Sequence, residues 1–140
     1  MESMGEDGVV LVRLLPGEDF YEGLEKACVK HGVETGVLLS GIGQLVDFRL
    51  GYFVSKGDYG EKHFPDVHEL IGLQGNVVLQ DSEYIFHVHC VVGDRNKKAF
   101  GGHLLGGTVS ITNEIALLKT KIKALRRVNE DTGLKDLCFD

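Results

Sequence analysis

The segment Tyr84-Ile85-Phe86-His87-Val88-His89-Cys90-Val91-Val92 decides how this chain is read. Its β-branched and aromatic residues, followed by the polar stretch 93–98, predict a strand and then a turn. In a strand, alternate side chains share a face, so Phe86, Val88, Cys90 and Val92 point one way and His87 and His89 the other. The two histidine Cα atoms are then about 7 Å apart, at a rise of ~3.3 Å per residue. Imidazoles so placed can converge on one ion, because Zn–N bonds are only about 2.0–2.1 Å long. A third histidine follows the turn in Gly101-Gly102-His103. If residues 83–92 and the segment through His103 form a hairpin or neighbouring strands, His103 closes the triangle. The flanking glycines leave room there for an ion and its solvent.

Reading outward toward the N-terminus, residues 8–15 (GVVLVRLL) form an opening strand that stops at Pro16-Gly17. Residues 1–7 are polar and acidic and read as a disordered tail without the character of a signal peptide. Phe20, Leu24, Ala27 and His31 recur at helical spacing over 19–31. Glu18 and Asp19 suit the positive end of that helix, His31 suits its negative end, and Gly32 is a natural stop. From Thr35 the period changes to two. A strand over 37–40 leads into a corner at Gly41-Ile42-Gly43, and a second strand covers 45–54. Residues 56–66 read as a loop with some extended structure, and 67–79 as a long strand interrupted by glycines. Residues 108–118 suit strand or helix, and 121–128 a last strand. One main helix with many hairpin-connected strands predicts a single α+β domain over 8–140, with an antiparallel-rich mixed sheet.

The bulk numbers agree. A chain of 140 residues fits one domain. Its 19 glycines, about twice the usual ~7%, lie between β-branched runs, where they serve turns and bulges. The net charge of −6 argues against a protein that grips nucleic acid through phosphates. The basic run Lys119, Lys121, Lys123, Arg126 and Arg127 reads as a solvated strand face. Three cysteines without CxxC spacing fit a reducing, cytoplasmic setting, and Cys90 reads as a small core residue. No apolar run reaches the ~18 residues that cross a bilayer.

Neutral imidazoles favour zinc or a similar divalent transition metal. Three protein ligands leave a coordination position open, as in catalytic rather than structural zinc sites. Hydrolysis of a small substrate by a metal-bound hydroxide would be one use of that position. It needs a carboxylate, and Glu69 and Glu114, each set in an apolar strand-like run, are the candidates. Either could instead anchor a histidine by hydrogen bonding. His63 and His68 are expected as loop histidines; their other reading is a fourth ligand, from this chain or from a neighbouring subunit. Gly41-Ile42-Gly43 lacks the spacing of a phosphate-binding loop.

Taken in order, Leu39-Ser40-Gly41-Ile42-Gly43, Glu69-Leu70-Ile71-Gly72-Leu73-Gln74-Gly75-Asn76, His87-Val88-His89 and Gly101-Gly102-His103-Leu104 with Gly106 form a set. In these motifs the chain resembles the PPC domain, the "plants and prokaryotes conserved" domain, over about residues 8–125. The resemblance implies a compact α+β fold assembling as a homotrimer, with the histidine motif on His87, His89 and His103. It also implies an association with DNA, which in plant members is made by separate AT-hooks. No Arg-Gly-Arg-Pro core occurs in this sequence, so that activity does not carry over. The expected role is metal binding or regulation. Metal-dependent hydrolysis and an accessory role on DNA are the alternatives.

Overall fold

The computed structural model describes residues 1–139; Asp140, the last residue of the expected domain, lies outside the described residues. Along the chain run β1 (Glu2–Glu6), β2 (Val9–Leu14), α1 (Phe20–His31), β3 (Thr35–Ser55) and β4 (Asp58–Phe64). They are followed by β5 (His68–Gln80), β6 (Glu83–Gly93), β7 (Ala99–Thr120), β8 (Ala124–Val128) and β9 (Lys135–Phe139).

The helix forms where expected. Asp19 caps it, its carboxylate accepting from the backbone N–H groups of Tyr21 (2.9 Å) and Glu22 (3.0 Å). It ends at Gly32, which takes the left-handed conformation at φ 59°. Phe20, Leu24, Ala27 and Cys28 are the side chains it buries, and its main packing contacts are with β2 and β7.

Residues 1–7 are not a disordered tail. Glu2 to Glu6 pair with Arg13 to Val9 across a tight turn at Asp7-Gly8, both at positive φ. Asp-Gly is a strong two-residue hairpin signal, and the polar composition around it hides the strand because an edge strand is open to water. The Met1 ammonium also meets the Glu18 carboxylate, and His31 Nε2 lies 3.0 Å from Ser3 Oγ.

The main sheet has the order β1-β2-β7-β6-β5-β3-β4, and β3 also pairs with β7. The ladder of β3, β5, β6 and β7 therefore closes on itself. Each of its pairings is antiparallel, so the mixed character expected of the sheet is absent among the described residues. Short hairpin connections, which permit only antiparallel neighbours, join β1–β2, β3–β4, β5–β6 and β6–β7. The corner at Gly41-Ile42-Gly43 joins its flanking strands into the single strand β3, with register shifts between Leu38 and Ser40 and between Gly43 and Leu45. The expected loop at 56–66 contains β4, and 108–118 is strand, inside β7. The last expected strand starts at Ala124 and pairs with β9, a strand the sequence reading did not separate. One continuous core, including Leu14, Phe20, Leu38, Phe48, Val88, Cys90 and Ile115, lies between the closed ladder, β2 and the helix.

Close approach of β5 to β6 depends on Gly75, opposite Val88. A Cβ there would stand 2.1 Å from the His87 carbonyl oxygen and 2.9 Å from the Val88 Cα, whereas one at Gly72 would meet nothing within 4 Å. Backbone can yield only by opening the ladder, so Gly75→Ala should destabilise by about 1–3 kcal/mol. The check is a urea titration in which Gly72→Ala, the control, keeps a midpoint closer to that of the parent protein.

Candidate metal centre

The turn after β6 sets the geometry. The Asp94 carboxylate accepts from the N–H groups of Asn96 (2.8 Å) and Lys98 (2.9 Å), and Lys97 takes a positive φ. The chain returns with Gly93 opposite Ala99, which places His89 directly opposite His103. Directly opposed residues share a face. His87 lies two residues along β6 from His89, on that same face, and diagonal to His103.

The three rings converge. Their centroids are 5.0 Å (His87–His89), 5.2 Å (His87–His103) and 5.3 Å (His89–His103) apart. His87 Nε2 and His89 Nε2 are separated by 3.1 Å. One ligand nitrogen from each ring lies within 4.8 Å of the other two. Nitrogens bound to one tetrahedral zinc would be about 3.3 Å apart, from bonds of ~2.0–2.1 Å. Small ring rotations bring the trio to that spacing, so these donors fit a divalent transition metal. Among the described residues the group contains three histidines and no carboxylate.

Burial and the neighbouring His87 and His89 rings push His103 down to about 4. Burial, then His89 and the Arg126 guanidinium, also hold His87 below the ordinary histidine range. Both rings are therefore neutral at pH 7, with lone pairs available to a cation. Gly101, opposite Val91 on the trio's face, leaves that side open, while Gly102 turns toward Leu50 and Gly51.

The other sequence candidates fall elsewhere. Glu69 is opposite Gly93, four residues or ~13 Å along β6 from His89. Its carboxylate accepts from the Gln44 side chain at 2.7 Å. Glu114 lies eleven residues along β7 from His103, or ~36 Å of strand, opposite Arg13 and Ile42. Neither anchors a histidine of the trio in this chain. His68 is buried against the rings of Phe48, Phe64 and Phe100, with Nδ1 3.0 Å from the Asp66 carbonyl. Exposed His63 meets the Asp47 carboxylate at 2.5 Å. Cys90 is a core residue, as read, and burial raises its thiol to about 12.

Two residues beside the trio carry no signal in the sequence reading. Tyr59 of β4 sets its ring edge-on to His103, with centroids 6.3 Å apart. Arg126, expected on a solvated face, is only 6% exposed. Its backbone and the Gln80 amide exchange hydrogen bonds, and its guanidinium donates to Asn76, which is opposite His87. A groove of about 840 Å³ opens here, lined by the trio, Tyr59, Phe86 and Arg126 among others. The basic run misleads because one of its members turns in to bond Asn76 and the Lys135 carbonyl.

Similarity to known proteins agrees with this geometry. Residues 1–121 match the model of the Plants and Prokaryotes Conserved (PCC) domain. A plant- and prokaryote-conserved protein of Pyrococcus horikoshii is 30% identical with a TM-score of 0.81, covering 96% of this chain and 94% of that one. A metal-containing protein of Archaeoglobus fulgidus is 27% identical with a TM-score of 0.83, over 96% and 94% of the two chains. A candidate DNA-binding protein of Bacteroides thetaiotaomicron superposes with a TM-score of 0.90 at 24% identity, over 99% and 96%, and shares the fold. Bifunctional protein GlmU of Synechococcus sp. (strain JA-3-3Ab) is 28% identical over 128 residues, 90% of this chain. The chain spans about a fifth of the length of that curated relative. With the matched domain covering most of its length, the chain belongs to the plants and prokaryotes conserved domain family.

Proposed function

We propose that this protein binds a divalent transition metal, zinc by preference, through His87, His89 and His103, and that it serves a binding or regulatory role in the cytoplasm. The observation that carries this reading is the convergence of three imidazole nitrogens within 4.8 Å of one another. A similar structure from Archaeoglobus fulgidus is a metal-containing protein, in keeping with the same reading. When bound, zinc would supply Lewis acidity and lower the pKa of a coordinated water. Hydrolysis would also call for a proton acceptor, and Glu69 and Glu114 stand far along their strands from the trio. Within one chain, binding is therefore the better-supported use of the site.

We infer that the protein assembles as a homotrimer. Leu11, Leu39, Ile42 and Ile111 are between 52% and 62% exposed in the single chain. Exposed apolar side chains of this kind, here on β2, β3 and β7, are what self-association covers. No helix among the described residues is long and apolar enough to cross a membrane. The acidic balance weighs against direct DNA binding.

Mass spectrometry of native protein should find about one zinc per chain, lost in His87→Ala/His89→Ala; absence from both after zinc incubation would refute the metal reading. Sedimentation should give a trimer at micromolar concentration, and Ile42→Glu should shift it toward monomer with circular dichroism unchanged. A monomeric parent protein would exclude the assembly. Duplex DNA should migrate unretarded with the protein even at low salt, and salt-sensitive retardation would establish the DNA reading in its place.

A further inference from the structure

The groove beside the trio contains a cation that no carboxylate of the described residues pairs directly. Arg126 is 6% exposed, and among the described residues no carboxylate reaches ion-pair distance of it. Its Nη1 donates to the Lys135 carbonyl at 3.1 Å and its Nη2 to the Asn76 side-chain oxygen. Its Nε is buried with no partner. Asp136, whose charge acts on Arg126, accepts instead from the Asn129 amide at 2.8 Å. Burying a guanidinium on two neutral acceptors is costly unless an anion joins it. Five N–H donors in a planar fork leave capacity for one.

The surroundings narrow the anion's class. The groove, about 840 Å³, also has Phe53, Tyr59, Phe86, Leu105 and Leu134 in its walls, with Lys135 beside them. That volume lies within the ~300–1,000 Å³ of small-molecule sites, which are mostly apolar with few polar anchors. A carboxylate matches the guanidinium fork with its two oxygens.

We propose that this groove binds a small carboxylate with an apolar body, its anionic end held by Arg126 and its other end directed to the histidine trio. The proposal deepens the metal reading and rests on it for the second anchor. Arg126 and Leu134 lie beyond residues 1–121, the part that matches the family model, so the C-terminal hairpin completes the site.

Benzoate is a suitable probe. Calorimetric titration into zinc-equilibrated protein should show saturable binding, weakened at least about tenfold in Arg126→Gln with zinc content unchanged. Benzamide, of the same shape but uncharged, should bind correspondingly weaker. Leu105→Trp, which fills part of the groove, should also abolish binding, and it serves as the test if Arg126→Gln fails to fold. Equal benzoate affinity in the parent protein and in Arg126→Gln would overturn the proposal. Arg126-dependent binding of inorganic phosphate without benzoate would overturn the carboxylate assignment. Zinc bound with neither anion would overturn the anion site and leave the metal reading standing. Arg126-dependent benzoate binding without zinc would support the anion site and overturn the metal reading.

Discussion

The antiparallel register of β6 against β7 is the constraint on which the site depends. Five residues of turn, held by the Asp94 carboxylate on two backbone N–H groups, make His89 the partner of His103. A slip of one residue would send His103 to the opposite face of the sheet and break the trio. Burial of Val88, Cys90, Val92 and Leu104 on the inner face resists that slip. The core thus specifies the histidine trio without touching it.

The same strand alternation divides the molecule into two environments. Inner residues of β2, β3, β5, β6 and β7 meet the helix in a dry core. Closure of the ladder by direct β3–β7 pairing brings Gly51 opposite His103 and carries β4, with Tyr59, to the rim of the trio. From the other side, β8 docks through the Gln80–Arg126 exchange. The trio lies between these walls, and partial desolvation there holds His87 and His103 below the ordinary histidine range. The groove exists because chain segments 75 residues apart, around Tyr59 and Leu134, line it together.

Much of this architecture was legible in local pattern. The helix showed its period, its acidic cap and its glycine stop. The strand 83–92 showed alternation so regular that the face shared by His87 and His89 followed directly, and a turn-forming stretch pointed to a hairpin that brings His103 back. The first strand was missed because an exposed edge needs no apolar alternation, although Asp7-Gly8 marked its turn. The basic run Lys119 to Arg127 looked like a solvated face since nothing near it in sequence reveals that Arg126 will bond Gln80 and Asn76 of β5.

What the sequence by itself determined, then, is the set of strand faces: which side chains can be neighbours across a ladder, and hence that three histidines can meet. That information is local, carried by a period of two and a short turn. Only the tertiary structure decided which charges stand near them. Glu69 and Glu114 sit in runs that resemble ligand-bearing strands, yet the fold sends them toward other parts of the sheet. Arg126 sits in a run that resembles surface, yet the closing hairpin buries it beside His87. Long-range pairing is a choice among many registers, settled by the burial of the whole core, and no short segment contains it.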